Sequence, residues 1–249
     1  MSLSLTPQEW QDIHSFQEEE LVRLASDEEF ARNAAQSDHF SRVGAWIKPE
    51  FGRRVLEVGC GPGRYVAMLA SMGFEVVGVD PVAYPTWPLI KSHREVEFVD
   101  GVFAEALPFP DASFDHVACI AALLYFNDPH RALAEIRRVL KPGGRVVIRS
   151  VSRWTLYNLI MGKPLDPASR NHYTMGEFVR LAQSAGFSVA QRFSYGFYPP
   201  IFRSRWWHAT NGKISANAQC MISALTPAPF RHQLIIFCVA PKAEAPKAA

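Results

Sequence analysis

RVLEVGCGPGRYVAMLASMGFEVVGVD, running from Arg54 to Asp80, decides how this chain folds. Val55, Leu56 and Val58 form a short apolar run, the pattern of a strand buried on both faces. Gly59, Gly61 and Gly63 follow at once, and glycine there permits a tight turn and close approach of the backbone to a ligand. Arg64 to Ser71 reads as a helix that Met72 and Gly73 close, and a second strand, Glu75 to Val79, ends on Asp80. Strand, glycine-rich turn, helix and acidic strand end make half of a nucleotide-binding unit. Asp80 lies about 20 residues beyond the glycines, where a ribose hydroxyl needs an acceptor. Glu57 stands inside the first strand, where a charge is costly without a partner.

The turn itself reads E-V-G-C-G-P-G, Glu57 to Gly63. It resembles the first motif of the class I S-adenosylmethionine-dependent methyltransferases. Its spacing is not G-x-G-x-x-G, which disfavours an NAD site. The resemblance implies that Asp80 holds the ribose hydroxyls. It further implies that Glu57, Gly59, Gly61 and Gly63 shape the methionine side of the cofactor, with Cys60 and Tyr65 beside them. A second segment, AEALPFPDASFDHV from Ala104 to Val117, resembles the same family closely. There the family's acid for the adenine amino group aligns with Phe103. Three substitutes for it stand open: Phe103 stacking on the adenine, Asp100, or the amide of Ala104. Cys119, near the end of the fourth strand, is expected to line the sulfur side. The histidines that the family often places after that strand are replaced by Leu124 and Tyr125. This leaves Tyr125 as the candidate catalytic residue, orienting a nucleophile by its hydroxyl, or else as an aromatic wall. RVLKPGGRVVI, Arg138 to Ile148, resembles a structural signature of the family, with Lys141 to Gly144 expected to turn between a helix and a strand.

Composition bounds the remaining classes. The chain has 249 residues, 48% of them hydrophobic, enough for a packed core and too many for disorder. A formal net charge of +2 gives no strong nucleic-acid footprint. Cys60, Cys119, Cys220 and Cys238 form no C-x-x-C pair, so neither a zinc site nor a disulfide framework is expected and a reducing cytoplasm fits. The N-terminus carries no apolar signal core and no apolar run is long enough to span a bilayer, so no stable membrane insertion is expected.

Outward from the central stretch, the first 50 residues read as helical. Trp10, Ile13 and Phe16 share a face that Leu21 and Leu24 extend; Ser26 with Glu29 has capping-box spacing; Phe40, Val43, Trp46 and Ile47 repeat at helical intervals before Lys48-Pro49. Pro81, Pro85 and Pro88 interrupt the region after Asp80, so an irregular loop is expected there, then a short helix around Leu89 to His93. Tyr84 and Trp87 there either pack on the adenosine or fill space. Strands are expected at Val96–Val99, His116–Ile120, Arg145–Ile148, Phe187–Phe193 and Gln233–Val239, and helices at Pro129–Leu140 and after Thr174, which with Glu177 forms a cap. About 40 residues separate the last two strands, rich in Tyr195, Phe197, Tyr198, Phe202, Trp206 and Trp207. That insert reads either as a lid on the acceptor site or as a surface for a second copy of the chain, a homodimer.

The expected fold is α/β: a seven-stranded, Rossmann-like, doubly wound sheet with its last strand antiparallel, N-terminal helices and an insert before the last strand. The expected division is a helical cap at 1–50, a methyltransferase domain at 51–240 with the insert at about 195–230, and a flexible tail at 241–249. The segment resembles most closely the small-molecule methyltransferases of the ubiquinone/menaquinone-biosynthesis type, often called methyltransferase type 11. That implies S-adenosyl-L-methionine as cofactor and in-line methyl transfer to a small aromatic or apolar metabolite, with no metal and no nucleic acid. An RNA or protein methyltransferase and a non-catalytic cofactor-binding protein are the alternatives.

Overall fold

The computed structural model describes residues 22–27, 38–155, 168–195 and 233–242, with the single positions 159, 227 and 231. Seven strands form one sheet in the order β3-β2-β1-β4-β5-β7-β6. They are β1 (Arg54–Val58), β2 (Glu75–Val79), β3 (Val96–Val99), β4 (Phe114–Ile120), β5 (Leu140–Val151), β6 (Ser188–Tyr195) and β7 (Gln233–Val239). Neighbours among the first five pair in parallel. β7 lies between β5 and β6 and is antiparallel to both.

Side chains alternate across each strand, and both faces are covered. Leu56 and Val58 of β1 join one cluster with Leu133 and Ile136 of α4 (Pro129–Val139) and Phe178 and Leu181 of α5 (Met175–Ser184). Val55, one residue away, joins the other. It packs with Val43 of α1 (Asp38–Trp46), Val66 and Leu69 of α2 (Arg64–Ser71) and Ile90 of α3 (Trp87–His93). The caps are local in origin. Asp128 accepts the amides of His130 and Arg131 at the start of α4, and Thr174 with Glu177 completes a capping box on α5. Two arginines fasten the N-terminal elements. Arg94 donates to Leu24 O at 3.0 Å, and Arg145 donates to Trp46 O at 2.6 Å while lying over the rings of Trp46 and Phe51.

Several boundaries differ from the sequence reading. α3 begins at Trp87, because Pro88 occupies its first turn, where a missing N–H has no helical partner to lose. Lys141 to Gly144 do not form a separate turn. They lie inside the twelve-residue β5, whose register against β4 steps from Phe114↔Leu140 to His116↔Arg145, a bulge. Gly143 has φ +76°, and a Cβ on Gly144 would come 2.8 Å from Asp115 O. Ser26 does not begin a helix. It closes the helical turn at 22–26, its hydroxyl donating to Val22 O at 2.7 Å. Its expected partner Glu29, the Trp10–Leu21 face and insert residues Phe197 to Trp207 lie outside the described residues.

Candidate active site

β1 and β4 are neighbours although the chain leaves β1 toward β2, so the crossovers diverge there. A crevice at the carboxyl ends of the strands opens at such a switch point. The cleft in this chain has a volume of about 710 Å³.

The glycine turn forms one wall. Gly59 and Cys60 donate their amides to Val79 O at 2.9 and 3.0 Å, which clamps the turn to the end of β2. Gly59 has φ +72°, and a Cβ there would collide with that of Ala122. Gly61 has φ +50°, and a Cβ there would meet nothing within 4 Å. The first glycine serves packing; the second leaves bare backbone facing the cleft.

Asp80 stands opposite. Its Oδ2 accepts the Gly61 amide at 2.9 Å and its Oδ1 the Val82 amide at 3.1 Å. A carboxylate offers about four lone-pair sites, so each oxygen keeps capacity for a ligand hydroxyl. Glu57 is fully buried at the base of the cleft, and neither of its oxygens has a hydrogen-bond partner. Burial holds its pKa well above the ordinary carboxylate range; the Arg149 charge opposes this and the Asp80 charge adds to it. Burial likewise pushes the Cys60 thiol far up, so it carries no thiolate at neutral pH.

The far wall comes from β4 and β5. Ala121, just past β4, takes φ +60° and donates its amide to Arg149 O at 3.0 Å. A left-handed alanine costs roughly 1 kcal/mol, held here by that bond. A 3-10 turn, Leu123–Tyr125, follows and leaves Tyr125 48% exposed on the cleft wall. Glu105 accepts the amides of Asn127 and Asp128 at 2.8 and 3.0 Å, tying the segment after β3 to the one after β4. Arg149 lies over the Tyr65 ring at 5.4 Å, and its Nε–H has no acceptor.

Glu57, Gly59, Cys60, Gly61, Tyr65, Asp80, Phe103, Ala104 and Tyr125 therefore share one cleft. Phe103 is 54% exposed there and Ala104 is buried. Tyr84 is also on this wall, whereas Trp87 stacks on Phe98 at 4.7 Å and donates to Gly61 O. Two candidates are elsewhere. Cys119 is fully buried in the core with Leu56 and Val58, its thiol raised to about 12 by burial, because alternation turns it away and brings Ile120 to the cleft. Gly63 caps α2 at φ +88°, where a Cβ would come 2.7 Å from Ile90. Sequence reading missed Arg149, although a charge ending the apolar run R-V-V-I-R is the signal that singled out Glu57. Among the described residues no group of three or more His, Cys, Asp or Glu is placed to hold a metal, and no helix is long and apolar enough to cross a membrane.

Residues 56–148 match the family model described as the methyltransferase domain. That segment is a class I methyltransferase domain. The domain's relatives bear out the assignment. A sterol 24-C-methyltransferase from Gibberella zeae is 33% identical over 178 residues, 69% of this chain and 43% of that protein. A demethylmenaquinone methyltransferase from Renibacterium salmoninarum is 36% identical over 141 residues, 53% of this chain and 59% of that protein. The chain thus spans only about two to three fifths of these relatives' lengths. A Thermotoga maritima structure described as a SAM-dependent methyltransferase and possible histamine N-methyltransferase superposes with TM-score 0.60. It has 20% identity, with 92% of this chain and 95% of that one covered, a likeness of fold. The cofactor of the class is S-adenosylmethionine. The cleft fits it: open backbone at Gly61, spare acceptors on Asp80, and an orphaned buried carboxyl at Glu57.

Proposed function

We propose that the domain transfers a methyl group to a small aromatic or apolar metabolite. Asp80 carries the reading: an acid at the end of β2, oriented by the Gly61 and Val82 amides, with acceptor capacity left toward the cleft. When bound, S-adenosylmethionine supplies an already activated methyl group. The protein's remaining work is to align a nucleophile with it and exclude water. In this reading Asp80 holds the ribose, Gly61 and Glu57 border the methionine portion, and Phe103 and Ala104 border the adenine. Tyr125 orients the nucleophile through its hydroxyl. The cleft's apolar members Phe103, Ile120, Ala122 and Phe126 suit an apolar or aromatic acceptor. The names of the sterol and demethylmenaquinone relatives agree with that class. The test incubates the protein with methyl-labelled S-adenosylmethionine and panels of phenols, quinols, sterols, RNA and protein. Label extracted with a small apolar or aromatic compound is expected; label appearing only in RNA or protein contradicts the reading.

A further inference from the structure

The Arg149 guanidinium lies over Tyr65 and close enough to Glu57 to feel its charge, and the cofactor reading above gives it no role. Its strand, β5, is separated from β2 and Asp80 by β1 and β4. Its Nε–H is buried without an acceptor, a costly state for a donor on a charged group. Among the described residues no carboxylate forms a salt bridge with it. Glu57 feels its charge, yet both Glu57 oxygens lack a hydrogen-bond partner. The group is built rather than stray. The Tyr65 ring supports the guanidinium at 5.4 Å, and Ala121 is held in its left-handed turn by the Arg149 carbonyl.

We propose that Arg149, supported by the Tyr65 ring, is an anion subsite that binds a carboxylate or phenolate of the methyl acceptor. The proposal rests on the methyltransferase reading and narrows it: the acceptor has an apolar or aromatic body and one acidic group. A guanidinium presents a planar fork suited to carboxylate oxygens. Burial alone lowers the Arg149 pKa, but Tyr65 and Tyr195 raise it above the usual arginine value, so the cation persists at every working pH. Burial raises the Glu57 pKa, and neither Glu57 oxygen makes a hydrogen bond, so that carboxyl is not its partner. An acidic acceptor therefore meets a buried cation that has no ion-pair partner among the described residues.

Benzoate and its neutral isostere benzamide are the probes, titrated by calorimetry with and without S-adenosylhomocysteine. The wild type is expected to bind benzoate at least tenfold more tightly than benzamide. Arg149→Met should abolish that preference, and Arg149→Lys should restore part of it. Neither should change S-adenosylhomocysteine affinity more than about twofold. Equal binding, or no binding, of the two probes by the wild type overturns the proposal without any variant having to fold. So does a loss of S-adenosylhomocysteine affinity in Arg149→Met that spares 5′-methylthioadenosine, since the cofactor's own carboxylate would then occupy Arg149. Failure of the wild type to bind S-adenosylhomocysteine sinks the methyltransferase reading instead, and the probe pair without it still decides the subsite.

Discussion

Glu57 and His116 are both buried ionisable groups whose hydrogen-bonding atoms are not satisfied by side-chain partners, and they pull stability in opposite directions with pH. The Glu57 pKa is raised in the fold. The folded state then holds a proton that the unfolded chain has lost, so stability falls as pH rises above the ordinary value of 4.5. Glu57→Gln should therefore be more stable than the wild type at pH 7, by thermal melting, while binding cofactor less well. Burial depresses the His116 pKa, with Asp115 opposing and Arg145 reinforcing, and the ring packs edge-on against Phe74 at 5.9 Å. Here the unfolded chain takes up the extra proton. Stability is full above about 6.5 and falls as pH drops through that value toward the folded pKa. His116→Leu should flatten this acid limb in a urea-denaturation series between about pH 5 and 7; an unchanged slope would refute the role. Phe103 makes a different prediction. It is exposed on the cleft wall where an adenine-binding acid is expected, so Phe103→Asp should keep or improve cofactor affinity. A tenfold loss would show that the ring itself holds the adenine.

At the scale of the element, the turn between β1 and α2 separates folding from binding. Gly59→Ala places a Cβ against Ala122 at positive φ, which should destabilise the domain by about 2–4 kcal/mol in denaturation. Gly61→Ala meets no protein atom, so its strain should cost only about 1–2 kcal/mol. Its methyl, however, enters the cleft, and calorimetry should show cofactor affinity falling at least tenfold. If Gly61→Ala binds normally, the cofactor does not approach that wall. The elements were legible where local signals ruled. The apolar run of β1, the Thr174–Glu177 cap and the alternation of β7 place their elements within a residue or two. The KPGG segment misled because glycine and proline signal a turn locally, whereas pairing with β4 and β7 draws the residues into a bulged strand.

Over the whole molecule, the seven-stranded doubly wound sheet and its antiparallel last strand followed from the family resemblance, and the structure has both. The cleft was legible only in part. Glycines and an acid 20 or so residues apart in sequence announced the cofactor side, since a single βαβ unit carries it. The opposite side is assembled from β4 and β5, and Arg149 of β5 is far in the chain from Tyr65 of α2, so the two carried no local sign that they would meet. Cys119 failed for a smaller reason: one residue along a strand reverses the face, and Ile120 took the place expected of it.

Each role assigned to a cleft residue depends on the cleft being a cofactor site framed by Asp80. Titration calorimetry of S-adenosylhomocysteine into wild type and Asp80→Ala measures this directly, with thermal melts confirming that both are folded. One site per chain is expected in the wild type. Loss of a charge-assisted hydrogen bond of about 1.5–3 kcal/mol should weaken binding by roughly tenfold or more in the variant. No binding to the wild type, or equal affinity in the two proteins, would contradict the account.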